Sequence, residues 1–266
     1  MSVALLIPAR YASSRFPGKP LAPLKGATGV SKSLVQRSWE AAIAIPGIDH
    51  VAVATDDDRI AEAVQAFGGT VAMTSETCRN GTERCAEAVA TLDPKPDIVV
   101  NLQGDAPLTP PWFVEALVAA MRAAPAMAVA TPVLRCDHAS LARFRADRRA
   151  GRVGATTAVF GRDGRALYFS KEVIPFLPGE PTPGAPVPVF HHVGCYAYRP
   201  DALAAYVAAG ETPLEQLEGL EQLRFLETGT AVHCVEVEAR GAEFWELNNP
   251  EDTPTVEAAL AARGLE

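Results

Sequence analysis

The chain has 266 residues, 48% hydrophobic and 21% charged, with a formal net charge of −8. That is an ordinary globular composition, enough for one large domain or a domain with a small appendage. It argues against nucleic acid as a partner and contains no membrane-length apolar run, and its first apolar run is too short for a signal peptide and lacks the basic start, so a cytoplasmic protein is expected.

Residues 3–7, Val-Ala-Leu-Leu-Ile, read as a short buried strand. The loop 8–25 follows, with Arg10, Arg15, Lys19, two hydroxyls and the Pro17-Gly18 turn. The carboxyl end of a strand is where open α/β sheets bind ligands. Guanidinium forks, an ammonium and backbone N–H groups there suit phosphate oxygens. The alternative is a solvated basic loop, although the chain is acidic overall and the loop has few acidic neighbours in sequence.

Residues 26–33, Gly-Ala-Thr-Gly-Val-Ser-Lys-Ser, come close to a P-loop, but Ser31 stands where a glycine is required. A surface loop into a helix over about 32–45 is expected instead. Residues 51–55 form a second strand, followed by Asp56, Asp57 and Asp58. Adjacent side chains cannot all converge on one ion, so Asp56 or Asp57 is read as the cap of a helix over about 58–67. A third strand spans 70–73. The polar stretch 74–84 opens a helix to about 91, and N–H groups at its Asn80-Gly81-Thr82 start suit phosphate or a base edge. Residues 97–102 form a strand that delivers Gln103-Gly104-Asp105. A carboxylate there, beside a glycine that permits close approach, is either a Mg²⁺ ligand or a turn aspartate.

A helix over 111–123 and a strand over 127–132 come next. The Arg-rich stretch 137–150 is a helix or a loose connection. Residues 157–160 and 166–170 read as a β-hairpin, and the Pro- and Gly-rich 177–188 as a loop. His191 to Arg199 read as one strand, with the two adjacent histidines on opposite faces. Residues 213–224 read as an amphipathic helix with Leu214, Leu217, Leu220 and Leu223 as its core stripe and its acids as a solvated face. A strand over 232–237 and a helix to about 263 end the chain. The alternation over 3–132 implies a largely parallel α/β sheet. A single domain over 1–266 is expected, with the hairpin-rich 153–200 as an inserted β arm. Cys78, Cys85, Cys136, Cys195 and Cys234 form no CxxC pair, so free thiols are expected and a zinc site is not.

The segment Pro8-Ala9-Arg10-Tyr11-Ala12-Ser13-Ser14-Arg15-Phe16-Pro17-Gly18-Lys19-Pro20-Leu21 resembles the nucleotide-binding loop of the 3-deoxy-manno-octulosonate (Kdo) cytidylyltransferases, the CMP-Kdo synthetases. Gly81-Thr82-Glu83-Arg84, Gln103-Gly104-Asp105, Tyr168-Phe169-Ser170 and the 213–224 segment resemble later motifs of that family in the same order. The resemblance implies a Rossmann-like, glycosyltransferase-A-like nucleotidyltransferase fold and a homodimer supported by the β arm. It implies transfer of CMP from CTP to an oxygen of a small acidic acceptor, with Mg²⁺ as cofactor and pyrophosphate released. Ala9, Arg10, Ser13, Arg15, Lys19, Asn80, Gly81 and Gln103 would bind the nucleotide, and Arg10, Lys19 and Asp105 would serve catalysis. Asp105 and Asn248 would hold Mg²⁺. His192, Tyr196, Glu221 and Gln222 would face the acceptor, with Arg79 and Lys171 meeting its acidic group.

The chain departs from the family pattern at Ser75, Thr77, Cys78, Ala106, Thr157, His191 and Asn248. Kdo is the default acceptor; a phosphonate such as phosphonoformate is the alternative, and a non-catalytic nucleotide-binding protein is the reading from another class. A dinucleotide oxidoreductase is disfavoured, because no GxGxxG opens the first helix.

Overall fold

The computed structural model describes residues 1–13, 15–152, 155–242, 247 and 249–265. The first half alternates strand and helix as its hydrophobic runs require: β1 (Val3–Ala9), β2 (Pro23–Lys25), β3 (Ser31–Ser33), α1 (Leu34–Ile43), β4 (His50–Thr55), α2 (Asp58–Ala66), β5 (Val71–Met73), α3 (Gly81–Ala90), β6 (Ile98–Leu102) and α4 (Pro111–Ala123). The second half holds β7 (Val129–Arg135), α5 (His138–Arg149), β8 (Thr156–Phe160), β9 (Ala166–Ser170), β10 (Phe190–His192), β11 (Cys195–Tyr198), α6 (Pro200–Ala209), α7 (Pro213–Glu218), α8 (Leu223–Glu227), β12 (Val232–Val237) and α9 (Thr253–Ala262).

One ten-stranded sheet runs β5-β4-β1-β6-β11-β7-β10-β8-β9, with β12 on β7. Its first four strands are parallel, with β1 between β4 and β6. The chain therefore leaves β1 toward β4 and β5, then returns to the other side of β1 as β6. A crevice opens at the carboxyl ends of strands at such a reversal.

β1 is apolar at successive positions because both of its faces are covered. Leu5 and Ile7 pack with Val35, Ile60, Phe113 and Leu117 on one side. Leu6 packs with Cys85, Val89, Leu203 and Phe225 on the other.

Most expected elements are present, with four differences. The P-loop look-alike forms the turn and the second strand of the β2–β3 hairpin. The strand expected from His191 to Arg199 is two strands, β10 and β11. β10 lies between β7 and β8, whereas β11 lies between β7 and β6, in the centre of the sheet. The helix α6 was not anticipated. The helix expected over 213–224 is interrupted: Gly219, in the left-handed region at φ 60°, ends α7, and α8 starts at Leu223. Leu217 consequently leaves the expected core stripe and is 82% exposed, whereas Glu215, expected on a solvated face, is buried.

Candidate nucleotide and acceptor site

A cavity of about 790 Å³ lies over the carboxyl ends of β1 and β6. Parallel pairing of Leu6 with Asn101 brings the two strands out side by side. Pro8, Ala9 and Arg10 thus stand next to Gln103, Gly104 and Asp105 in the cavity wall. The glycine is required there: a Cβ on Gly104 would sit 2.8 Å from the Pro8 carbonyl oxygen. The group that approaches Gly104 closely is therefore the β1 backbone. The Ser38 hydroxyl donates to the Gly104 carbonyl at 2.9 Å and fixes the same turn.

Arg10, Ser13, Arg15 and Lys19 line this wall. Their loop is folded back on itself. Gly18, at φ 71°, donates its N–H to the Tyr11 carbonyl, and the Tyr11 ring lies against Gly18. The Arg59 guanidinium covers that ring at 3.4 Å. The turn sends Lys19 inward, where its ammonium donates to Asp105 Oδ2 at 2.6 Å.

The other wall begins at α3. Asn80 caps that helix by accepting from the Glu83 N–H at 2.9 Å, and its amide donates to Tyr206 Oη and Glu215 Oε1. One of the helix-start N–H groups expected for a ligand is spent inside the protein, that of Thr82 on Glu221 Oε2 at 2.9 Å, and the next, that of Glu83, is taken by Asn80. Glu221 also accepts from the Gln103 amide at 3.4 Å, which ties the two walls together. Burial pushes the Glu221 carboxyl up.

β10 and β11 supply the far end. His192 is buried, and its Nε2 lies 2.9 Å from the Thr131 hydroxyl. That hydroxyl has one proton and also faces the Cys195 carbonyl at 2.9 Å. A carbonyl only accepts, so Thr131 donates to it and His192 donates from Nε2. Burial pushes the His192 imidazole down to about 3 and that of His191 to about 4, so both are neutral at ordinary pH. The two rings point to opposite faces as expected: His191 lies against Phe144 and His192 against Phe169. Tyr196 donates its hydroxyl to Gln222 Oε1 at 3.1 Å. Gln222 Nε2, buried in the cavity wall, has no hydrogen-bond partner among the described residues. It is a donor awaiting an acceptor oxygen.

The sequence-derived residues Ala9, Arg10, Ser13, Arg15, Lys19, Asn80, Gly81, Gln103 and Asp105 therefore share one cavity with Arg79, His192, Tyr196, Glu221 and Gln222. Two expectations are modified. Arg79 reaches the cavity, but Glu83 at 2.8 Å and Glu211 at 3.3 Å already hold its guanidinium. Lys171 is outside the lining; its ammonium lies against Gly219, 2.8 Å from where a Cβ would stand. Asn248 lies outside the described residues. Sequence reasoning missed Glu215, Arg84 and Thr156, which also line the cavity. Glu215 had a signal, Thr212-x-x-Glu215, the capping-box spacing that turns the glutamate back toward its own helix start.

Mg²⁺ is commonly held by one or two carboxylates, with substrate phosphates and water completing its shell. No group of three or more His, Cys, Asp or Glu side chains able to hold a metal occurs among the described residues. A single carboxylate, Asp105, on a wall lined with phosphate-suited cations fits an ion carried by a nucleotide better than one caged by protein.

The cytidylyltransferase family pattern matches residues 4–236. The chain belongs to the cytidylyltransferase family. It is 47% identical to the 3-deoxy-manno-octulosonate cytidylyltransferase of Maricaulis maris, over 99% of each chain. It is 41% identical to the Chlamydia abortus protein of the same name, over 96% of this chain and 92% of that one. It superposes with a TM-score of 0.84 and 37% identity on CMP:2-keto-3-deoxy-manno-octonic acid synthetase complexed with CTP, covering 99% of this chain and all of that one. A 4-diphosphocytidyl-2C-methyl-D-erythritol synthase from Anaerococcus prevotii, at 14% identity and a TM-score of 0.58, shares the fold. Of the departures from the family pattern, Cys78 and His191 line the cavity, while Ser75, Thr77, Ala106 and Thr157 do not. Thr157 is buried and spends its hydroxyl on the Glu172 carbonyl at 2.6 Å. Among the described residues, no helix is long and apolar enough to cross a membrane.

Proposed function

We propose that this cytidylyltransferase joins CMP from CTP to an oxygen of Kdo and releases pyrophosphate. The observation that carries this reading is one cavity with a cationic loop wall on the β1 side and a neutral, hydroxyl- and amide-rich wall on the β10–β11 side. A 37% identical structure is complexed with CTP, which supports CTP as the nucleotide. Arg10, Arg15 and Lys19 hold the triphosphate, with Ser13 donating a further hydrogen bond. Asn80, Gly81 and Gln103 border the nucleotide. His192, Tyr196, Gln222 and Glu221 bind and orient the acceptor, with the Gln222 amide donating to one of its oxygens. Asp105 and Asn248 are proposed to hold Mg²⁺, which supplies charge neutralisation at the phosphates when bound.

The acceptor oxygen attacks the α-phosphorus of CTP, and the bond to the pyrophosphate oxygen breaks. Such transfers need placement and charge stabilisation more than protein acid–base chemistry. Neutral His191 and His192 leave the acceptor end with little positive charge of its own. Glu221, tied to both walls, sets the spacing between the reacting groups.

The test is pyrophosphate release from CTP and Mg²⁺ with Kdo, sialic acid and phosphonoformate. Turnover with Kdo is expected. Turnover with phosphonoformate instead would reassign the acceptor, and CTP binding without turnover at any metal concentration would leave only a nucleotide-binding protein. A homodimer, supported by the exposed Leu167 and Phe176 in the β-rich stretch, is the proposed assembly. Sedimentation at twice the 28.1 kDa chain mass checks it.

A further inference from the structure

We propose that Lys19 is the resident counter-cation of Asp105, so that the protein takes up its divalent cation only together with the triphosphate. The inference rests on the reading of this cavity as a metal–nucleotide site. The pair is short, 2.6 Å, and both side chains are mostly covered, 15% exposed for Lys19 and 25% for Asp105. It is also held in place from both sides. The Gly18 turn and the Tyr11–Arg59 stack shape the loop that carries Lys19, and the close approach of Gly104 to Pro8 fixes the turn that carries Asp105.

An ammonium and a dication compete for the same carboxylate. A cation approaching Asp105 alone must break a partly desolvated pair and then sit beside the displaced positive charge. A triphosphate removes both obstacles. It offers Lys19 phosphate oxygens in exchange for the carboxylate, and it brings the dication already neutralised. A ligand shifts an equilibrium only by its differential affinity for the two states, and the triphosphate, unlike the metal alone, favours the state in which Lys19 has left Asp105.

The test uses Mn²⁺ as the probe, with free Mn²⁺ followed by electron paramagnetic resonance on the full-length protein. Without nucleotide, Lys19→Met should bind Mn²⁺ about tenfold or more tighter than the unaltered protein. Lys19→Gln should behave alike and guards against a folding defect in one variant. Adding Asp105→Asn to Lys19→Met should abolish the gain. Arg10→Met removes one positive charge from the same wall without freeing Asp105, and should gain much less. A non-hydrolysable CTP analogue should raise Mn²⁺ uptake by the unaltered protein above that of the analogue alone. Equal Mn²⁺ affinity in Lys19→Met and the unaltered protein, or an equal gain from Arg10→Met, overturns the handover while the metal–nucleotide reading stands. No uptake beyond that of the analogue alone overturns both.

Discussion

Arg224 is a fully buried guanidinium, and the acceptor wall depends on it. It makes a fork to Glu215 at 2.6 and 2.7 Å, reaches Glu83 at 2.9 Å and lies over the Tyr206 ring at 3.9 Å. Glu215 in turn meets Asn80, the cap of α3. Removing the cation strands the Glu215 carboxylate in a covered site, whereas Glu83 keeps Arg79. Arg224→Met should therefore cost roughly 3–5 kcal/mol of stability in urea unfolding. Arg224→Lys should recover only part of this, because an ammonium cannot make the fork. The histidines give a second expectation at this scale. In the unfolded chain an imidazole titrates near 6.5, but in the fold His191 and His192 titrate at about 4 and about 3. Below about pH 6.5 the unfolded state binds protons that the native state refuses, so stability falls as pH falls. Between about pH 7 and 5.5 the two should cost roughly 2–3 kcal/mol together. His192→Asn keeps a donor for Thr131 and should remove about half of that slope in unfolding curves taken across the range.

At the scale of elements, the decisive feature is a break. The α7–α8 segment carries Glu215, Glu221 and Gln222, and Gly219 turns the chain between its two short helices. Gly219→Ala adds a left-handed strain of roughly 1–2 kcal/mol and pushes on the Lys171 ammonium, a flexible end that can move. The expected outcome is a several-fold higher KM for the acceptor with CTP binding little changed. Gly229→Ala is the control: it has φ 82° and nothing within 4 Å of its added Cβ, so it should carry similar strain and leave both KM values alone. This break also marks what the sequence conceals. Buried parallel strands were legible because their apolar runs are continuous, and the β1 loop was legible because its cations stand out in an acidic chain. The 213–224 pattern, with leucines every third residue, supports one continuous amphipathic helix equally well. Only tertiary contacts decide that Arg224 pulls Glu215 inward and that Leu217 turns out to solvent. The split of β10 from β11 was hidden for the same reason: Val193-Gly194 reads as strand until β6 and β8 compete for one edge. α6 was missed although Pro200 followed by Asp201 carries an ordinary helix-start signal.

At the scale of the whole molecule, the cavity draws on elements from residue 8 to residue 222. The loop after β1, the cap of α3, the turn after β6, the β10–β11 strands and the α7–α8 break reach it from different parts of one sheet. Unfolding any of the elements that carry them destroys the cavity, so a ligand held by all of them opposes global unfolding and not merely loop motion. A ligand at about a hundred times its dissociation constant stabilises the native state by about 2.7 kcal/mol. For a chain of this size that is a rise in Tm of roughly 5–10 °C. CTP with Mg²⁺ should give a shift of that order in a thermal melt. Mg²⁺ alone should give almost none, because Lys19 holds Asp105 at 2.6 Å. CTP with a chelator should fall between, since the cationic wall still receives the phosphates but Asp105 loses its counter-charge once Lys19 turns to them. A shift with CTP that is indifferent to the chelator would mean that Asp105 plays no part in binding the nucleotide. The cationic loop would then carry the affinity by itself.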